Sequence, residues 1–311
     1  MVHDRYGSPD VLELRDIDRP TPKPDEVLLQ VRAAGVDQGV WHMVSGLPYL
    51  GRLAFGPRKP RNPVPGMDVA GVVESVGARV TDFKPGDEVF GVARGSFAEY
   101  ARAKTIVHKP ANVTFEQAAA VPVSACTAWA ALRGIEPGLR VMIIGAGGGV
   151  GSFAVQLATV LGASVTAVCG PRKAELVRSL GATEVIDYTR EQLTGEYDML
   201  VDIAGGRPLS TLRRLLTRRG TLVLIGSEDG NRWISPLERT FAGLIQRPFT
   251  SQRFRAPLSL VRKADLTRLS TLLTEGKITP AVDRTFSLGE VPAAITYLRE
   301  GHARGKIVVI P

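Results

Sequence analysis

Residues 143–158 read IIGAGGGVGSFAVQLA: an apolar run, five glycines within seven positions, then the start of a helical period. Glycine inside a regular element costs up to about 1 kcal/mol against alanine, so this density implies a backbone requirement that other residues cannot meet. Ala146, Gly148 and Gly151 fall on the spacing A-x-G-x-x-G between a strand and a helix, a variant of the dinucleotide fingerprint with alanine in the first place. Lacking Cβ, Gly148 lets backbone approach a pyrophosphate, and Gly151 lets the helix pack close to the strand. The amides at the helix start, with the positive end of its dipole, then meet the phosphates. Gly147, Gly148, Gly149, Val150 and Gly151 are the expected phosphate-binding residues, and valine at Gly148 or Gly151 is expected to abolish cofactor binding while leaving the sheet folded.

From Arg140 onward strands and helices alternate: RVMIIG, GSFAVQLATVLGA, SVTAVC, PRKAELVRSLGA, EVIDY, YDMLVDIAG, LSTLRRLLTRRG and TLVLIGS. Short β-branched strands between helical periods indicate a parallel sheet covered on both faces. The first 110 or so residues read instead as all-β, with strand-like runs EVLLQVRAAGV and MDVAGVVESVG separated by proline- and glycine-bearing turns. EQAAAVPVSACTAWAALRG switches to helix formers, and the tail after Pro280 returns to strand, helix, strand. The expected fold class is α/β: a doubly wound Rossmann domain over 117–255, and a β-rich domain built from 1–116 and a returning segment, 256–311.

An acidic residue at the end of the second strand, about 20 residues past the fingerprint, would accept from the ribose of NAD. Gly170 stands there, followed by Arg172 and Lys173. With Pro171 suited to the first helical position, both cations fall in a first turn whose dipole disfavours them. A 2′-phosphate removes that conflict, so the residues favour NADPH over NADH.

The chain has 311 residues, 44% apolar and 23% charged, the composition of a folded enzyme-sized protein. Its net charge of +8 comes from 39 Lys and Arg against 31 Asp and Glu, scattered along the chain. The densest cluster, TLRRLLTRRG (Thr211 to Gly220), reads as the solvated face of an amphipathic helix rather than a nucleic-acid contact. No apolar run approaches the roughly 18 residues of a membrane span, and the N-terminus has no leader-like pattern. Two cysteines, Cys126 and Cys169, make no disulfide scaffold. The expected location is cytoplasmic, without membrane or nucleic-acid partners.

The blocks NPVPGMDVAGVVESVG, PGDEVFG, GSFAEYA, AAAVPVSACTAW, LGATEVIDY and GKIVVIP, with the glycine turn, resemble in identity and order the zinc-free quinone oxidoreductase branch of the medium-chain dehydrogenase/reductase superfamily. That resemblance implies a GroES-like catalytic domain beside the Rossmann domain, and a small electrophilic substrate such as a quinone or enone. Asp37 and PGMD stand where zinc-dependent members carry cysteine and GHE, and two cysteines with four scattered histidines offer no tetrahedral ligand set, so no metal is expected. The resemblance also implies roles for Ser124 and Thr127 near the nicotinamide and its phosphate, Tyr188 at the 2′-phosphate end and Gly226 at a strand end beside the nicotinamide. Tyr49, His42 and Asp37 are its candidate catalytic residues. RPFTSQRF (Arg247 to Phe254) resembles an edge strand through which members pair as homodimers, with a capped edge as the alternative. A metal-free alcohol or aldehyde reductase, and a cofactor-binding protein with little turnover, are the alternative readings.

Overall fold

Two compact units make up the structure, a computed structural model that describes residues 1–226, 251–258 and 260–311. One comprises Met1–Cys126 with Leu260–Pro311, the other Thr127–Ser259. The breaks thus fall at 126/127 and 259/260, beside the sequence expectation of 116/117 and 255/256.

The first unit is organised by β1 (Val27–Val36), a ten-residue strand buried along most of its length. It pairs antiparallel with β2 (Asp68–Val76), which continues through β3 (Glu88–Arg94) to β4 (Tyr100–His108). The first half of β1, Val27–Gln30, also pairs with β4 and closes the four strands on themselves. Closure removes the open edges that an antiparallel sheet of this size would otherwise expose. The second half, Ala34–Val36, turns to β12 (Lys306–Ile310), which pairs with β11 (Val282–Ser287). The C-terminal tail therefore completes the N-terminal sheet, in the split order expected. Leu29, Val31, Val73, Val89, Phe97, Ile307 and Val309 fill the interior.

The all-β reading of this region missed α1 (Gln38–Ser45) and the short α2 (Arg52–Phe55). Asp37 caps α1 by accepting from the Val40 amide at 3.2 Å, and Gly46 ends it in the left-handed conformation. The run EQAAAVPVSACTAWAALRG forms α3 (Phe115–Ala119), opened by a Thr114–Gln117 capping box, and α4 (Pro122–Ala131), with Pro122 at the break. Near the C-terminus lie α8 (Lys263–Thr274) and α9 (Val291–Arg299).

An ion pair fixes β2, β12 and the start of α4 together. Asp68 Oδ2 accepts from Lys306 Nζ at 3.3 Å and Asp68 Oδ1 from the Val123 amide at 2.9 Å, with both charged side chains 1% exposed or less. Burial, with the charge of Asp37 adding to it, holds the Asp68 carboxyl up at about 7 even against the opposing pull of the Lys306 ammonium.

The second unit is a parallel sheet in the order β10-β9-β8-β5-β6-β7. Its strands are β5 (Arg140–Ile144), β6 (Ser164–Cys169), β7 (Glu184–Asp187), β8 (Tyr197–Asp202), β9 (Leu216–Leu224) and β10 (Arg253–Arg255). The chain runs outward from β5 through β6 to β7, then returns to β8 on the other side of β5, which places the topological switch at the C-terminal ends of β5 and β8. Helices α5 (Gly149–Val160) and α6 (Ala174–Ser179) follow β5 and β6. Of RPFTSQRF, residues 247–250 lie outside the described residues, and the remainder leads into β10, an edge of the sheet.

The helix expected over LSTLRRLLTRRG stops early: α7 covers Leu209–Arg214, and LTRRG belongs to β9. Helix propensity yields here to sheet pairing, since Leu216 is already opposite Tyr197.

Removing one partner of a buried pair leaves an uncompensated charge and costs about 3 to 5 kcal/mol, whereas replacing both with neutral groups is far less damaging. Asp68→Asn is therefore expected to lower the urea midpoint strongly, and Asp68→Asn/Lys306→Met to recover more than half of the loss. A single variant no worse than one breaking the exposed Lys263–Asp82 pair would contradict that role for Asp68.

Candidate functional site

At the end of β5 the chain turns at Gly145, whose φ of 83° is in the left-handed region. Its amide, and that of Ala146, still donate to the Val168 carbonyl of β6. Helix α5 then starts with Gly148 as its N-cap, with no side chain capping it. The amides of its first turn are thus left for solvent or a ligand. The helix sits so low on the turn that a Cβ on Gly151 would lie 2.2 Å from the Gly145 carbonyl oxygen and 2.6 Å from that of Ala146. Gly148 differs: a Cβ there would meet only the Gly145 oxygen at 3.6 Å, with open space beyond. Gly149 and Val150 are half-buried at the same helix start.

The stem of Lys173 lies across Gly147, where a Cβ would fall 2.6 Å from the Lys173 Cβ. This ties the end of β6 to the glycine turn. Gly170 caps a 3-10 turn over Pro171–Lys173 with Pro171 in its first position, and Arg172 is exposed. A Cβ on Gly170 would touch the Tyr188 hydroxyl at 3.7 Å. Tyr188, 54% exposed just past β7, has the Arg207 guanidinium over its ring at 5.8 Å. Gly170, Arg172, Lys173 and Tyr188 are thus gathered at one corner of the sheet. Arg207 was missed by sequence reasoning; its signal is an arginine in a glycine-bearing loop after a parallel strand, the usual place for ligand contacts in such sheets. At the end of β8, Asp202 is fully buried and accepts from the Gly205 amide at 3.1 Å. Gly226, two residues past β9, lies against Ile203, whose carbonyl oxygen would be 2.0 Å from a Cβ there.

Ser124 and Thr127 are buried one turn apart on α4. Cys126 between them is buried as well, and burial pushes its thiol up to about 12, which leaves it unreactive as a nucleophile. Cys169, also buried, is likewise raised by burial.

Asp37, His42 and Tyr49 share the segment formed by α1 and the turn after it. Asp37 spends Oδ1 on the α1 cap, while Oδ2 is buried without a hydrogen-bond partner among the described residues. His42 Nδ1 lies 2.6 Å from the Leu47 carbonyl oxygen. Burial lowers the His42 pKa, against the effect of that hydrogen bond, so the ring is neutral near pH 7 with its hydrogen on Nδ1 and a lone pair on Nε2. Tyr49 opens a 3-10 turn, with the Arg52 guanidinium over its ring at 4.7 Å and over Tyr6 at 4.6 Å. Arg52 Nε also donates to the Gly46 carbonyl at 2.9 Å, closing the segment on itself.

A zinc ion does not fit these residues. Met67 beside Asp37 offers only a thioether, and among the described residues no three His, Cys, Asp or Glu side chains group as a metal would need. Nor, among the described residues, is any helix long and apolar enough to cross a membrane.

Residues 23–112 match the alcohol dehydrogenase GroES-like domain, and residues 180–309 match the family described as zinc-binding dehydrogenase. A chloroplast envelope quinone oxidoreductase homolog of Arabidopsis thaliana is 35% identical over 96% of this chain and 94% of its own. The mitochondrial NAD(P)H oxidoreductase RTN4IP1 of Mus musculus is 34% identical over 99% and 88%. The chain belongs to the medium-chain dehydrogenase/reductase superfamily. Within it the quinone oxidoreductases are its homologues, and the protein is an NAD(P)H-dependent oxidoreductase acting on a small molecule. The quinone oxidoreductase of Coxiella burnetii superposes with a TM-score of 0.87 at 28% identity, covering 100% of this chain and 98% of that one. The Escherichia coli quinone oxidoreductase complexed with NADPH does so at 0.84 and 25%, covering 100% and 99%.

The two fingerprint glycines separate under substitution. Gly151→Ala forces the helix off the turn and is expected to cost stability and cofactor affinity together, so valine there should not leave the sheet intact as the sequence alone suggested. Gly148→Ala fits the fold but intrudes on the space before the helix amides, so its melting temperature should stay near wild type while cofactor affinity falls by about tenfold or more. Thermal melts and cofactor titrations decide this; an equally stable Gly151→Ala would contradict the packing argument.

Proposed function

We propose that this oxidoreductase takes its hydride from NADPH and, without zinc, passes it to a quinone or an activated alkene. The observation that carries the cofactor choice is the corner formed by Gly170, Arg172, Lys173 and Tyr188, where no carboxylate ends β6 and two cations follow it. A guanidinium at such a place matches a phosphate in shape and charge, while the glycine leaves out the carboxylate that would repel it. In this reading Gly147 to Gly151 hold the pyrophosphate, Ser124, Thr127 and Gly226 border the nicotinamide, and Tyr188 covers the 2′-phosphate end. When bound, the nicotinamide supplies the hydride, and the protein supplies placement and a dry surrounding.

The substrate class follows from what the residues lack. With Asp37 and Met67 at the places where zinc-dependent members carry ligands, no metal-ligand set among the described residues is there to polarise a plain carbonyl, which favours an acceptor that is already electrophilic. His42 points the same way: with Nε2 as an acceptor it can take a proton but has none to give, which disfavours an alcohol or aldehyde reductase relying on it as an acid. Tyr49 remains the candidate proton donor, and Asp37 and Arg52 position the segment that carries it. The names of the Arabidopsis and Coxiella proteins support a quinone acceptor, and the NADPH complex of the Escherichia coli enzyme supports the cofactor.

NADPH consumption should appear with quinones and enones and persist in chelator, and it should be weak with simple aldehydes. Arg172→Ala is expected to weaken NADPH by about tenfold, the equivalent of roughly 1.4 kcal/mol, with NADH nearly unchanged. Equal weakening of both cofactors would make Arg172 a structural residue, and loss of quinone turnover in chelator would refute the zinc-free mechanism.

A further inference from the structure

Between Asp37 and Asp68 the chain carries no Asp or Glu, while Arg52, Arg58, Lys59 and Arg61 fall within that stretch. There the 3-10 turn Tyr49–Gly51 runs straight into α2, because Gly51 and Arg52 both keep helical backbone angles. Leu50 and Leu53 are therefore three residues apart on one helical run and face the same side. They are 44% and 68% exposed. Arg52, between them in sequence, turns the other way to Tyr6, Tyr49 and the Gly46 carbonyl, and so anchors the run to the fold. A single exposed leucine is ordinary on a protein surface. Two on one face, with Ala54 also exposed, form an apolar ledge that folding leaves in water.

The chain after α2 sets cations beside that ledge. The helix ends at Gly56, whose φ of 129° suits glycine alone, and a Cβ there would lie 2.0 Å from the Lys59 carbonyl oxygen. Residues 56–61 consequently fold back on themselves: the Arg61 amide donates to the Phe55 carbonyl at 2.8 Å, and the Tyr6 hydroxyl to the Gly56 carbonyl at 2.7 Å. Pro57 and Pro60 stiffen this loop further. Arg58, Lys59 and Arg61 are exposed on it. Leu14 and Ile17, also exposed in this unit, make a contrast, since Asp10, Glu13, Asp16 and Asp18 surround them in sequence with Arg15 alone against them.

We propose that the face formed by Leu50, Leu53 and the loop of Arg58, Lys59 and Arg61 docks on an anionic lipid surface. The leucines enter the boundary between headgroups and acyl chains while the cations meet lipid phosphates, the division of labour of helices that lie on a bilayer rather than cross it. The expectation of no membrane partner rested on the lack of a spanning run, which does not bear on a contact of this kind. A single-stranded nucleic acid would answer the cations and leave the leucines in water. A second copy of the chain would cover the leucines and bring like charges together. A lipid surface answers both features at once. Tyr49 opens the same helical run, so docking brings it to the lipid; that consequence alone rests on the quinone reading, in which a lipid-soluble acceptor would arrive from that side.

Co-sedimentation of the full chain with phosphatidylcholine vesicles, with and without phosphatidylglycerol, tests it. The chain should sediment with the anionic vesicles and stay in solution with phosphatidylcholine alone. Leu50→Ser/Leu53→Ser and Arg58→Gln/Lys59→Gln should each weaken partitioning by about tenfold or more, with melting temperatures near that of wild type because all four side chains are exposed. Arg218→Gln/Arg219→Gln removes the same charge from β9 and should change little, which separates docking by this face from attraction of the net charge of +8. A single-stranded RNA oligonucleotide should not displace the vesicles. No sedimentation with anionic vesicles, sedimentation that survives the leucine variant, an equal loss in Arg218→Gln/Arg219→Gln, or displacement by the oligonucleotide would each overturn the proposal, and so would a dimer in solution that the leucine variant splits.

Discussion

The contact on which the second unit turns is the seating of α5 against the Gly145–Ala146 turn, so close that not even one methyl fits at Gly151. That seating fixes where the helix begins and aims its first amides past the end of β5. No side chain caps them. A helix start without a cap, at the switch point of a parallel sheet, is a place that favours an anion for two reasons at once: unpaired donors and the positive end of the dipole. Lys173 adds a third, because its stem crosses Gly147 and so couples the corner after β6 to the turn.

The first unit rests on a different device. β1 spends its first half closing the four-stranded barrel and its second half receiving the C-terminal strand, so strands from the early and the late parts of the chain are built into one sheet. Asp68 and Lys306 stand where those strands meet. Their charges are buried at a desolvation cost that their pairing and the Val123 amide offset. The pair specifies the register of β12 and the start of α4 together, and that helix carries Ser124.

Much of this was legible in the sequence because the signals were local. The glycine spacing, the alternation of β-branched strands with helical periods, and the proline at the start of the turn after β6 each describe a few adjacent residues. What escaped reading depends on partners distant in sequence. LSTLRRLLTRRG has helix formers throughout, yet its second half pairs with Tyr197 and is held by Gln252, so propensity alone extends α7 too far. Arg207 meets Tyr188 only once β7 and β8 are folded, and the buried partnership of Asp68 with Lys306 spans nearly the whole chain. Asp37 was read for its chemistry, while the cap it gives α1 was not; an Asp three residues before a helical amide carries both meanings.

The central claim is that the corner after β6 selects NADPH by charge. Its most direct test is the ratio of NADH to NADPH dissociation constants measured as salt is raised from about 0.05 M to about 0.5 M, a range over which screening between exposed charges becomes severe. The account predicts a ratio well above one at low salt that shrinks steadily as salt is added, because only NADPH carries the additional phosphate for Arg172 to meet. A ratio near one at low salt, or a large ratio indifferent to salt, would contradict it.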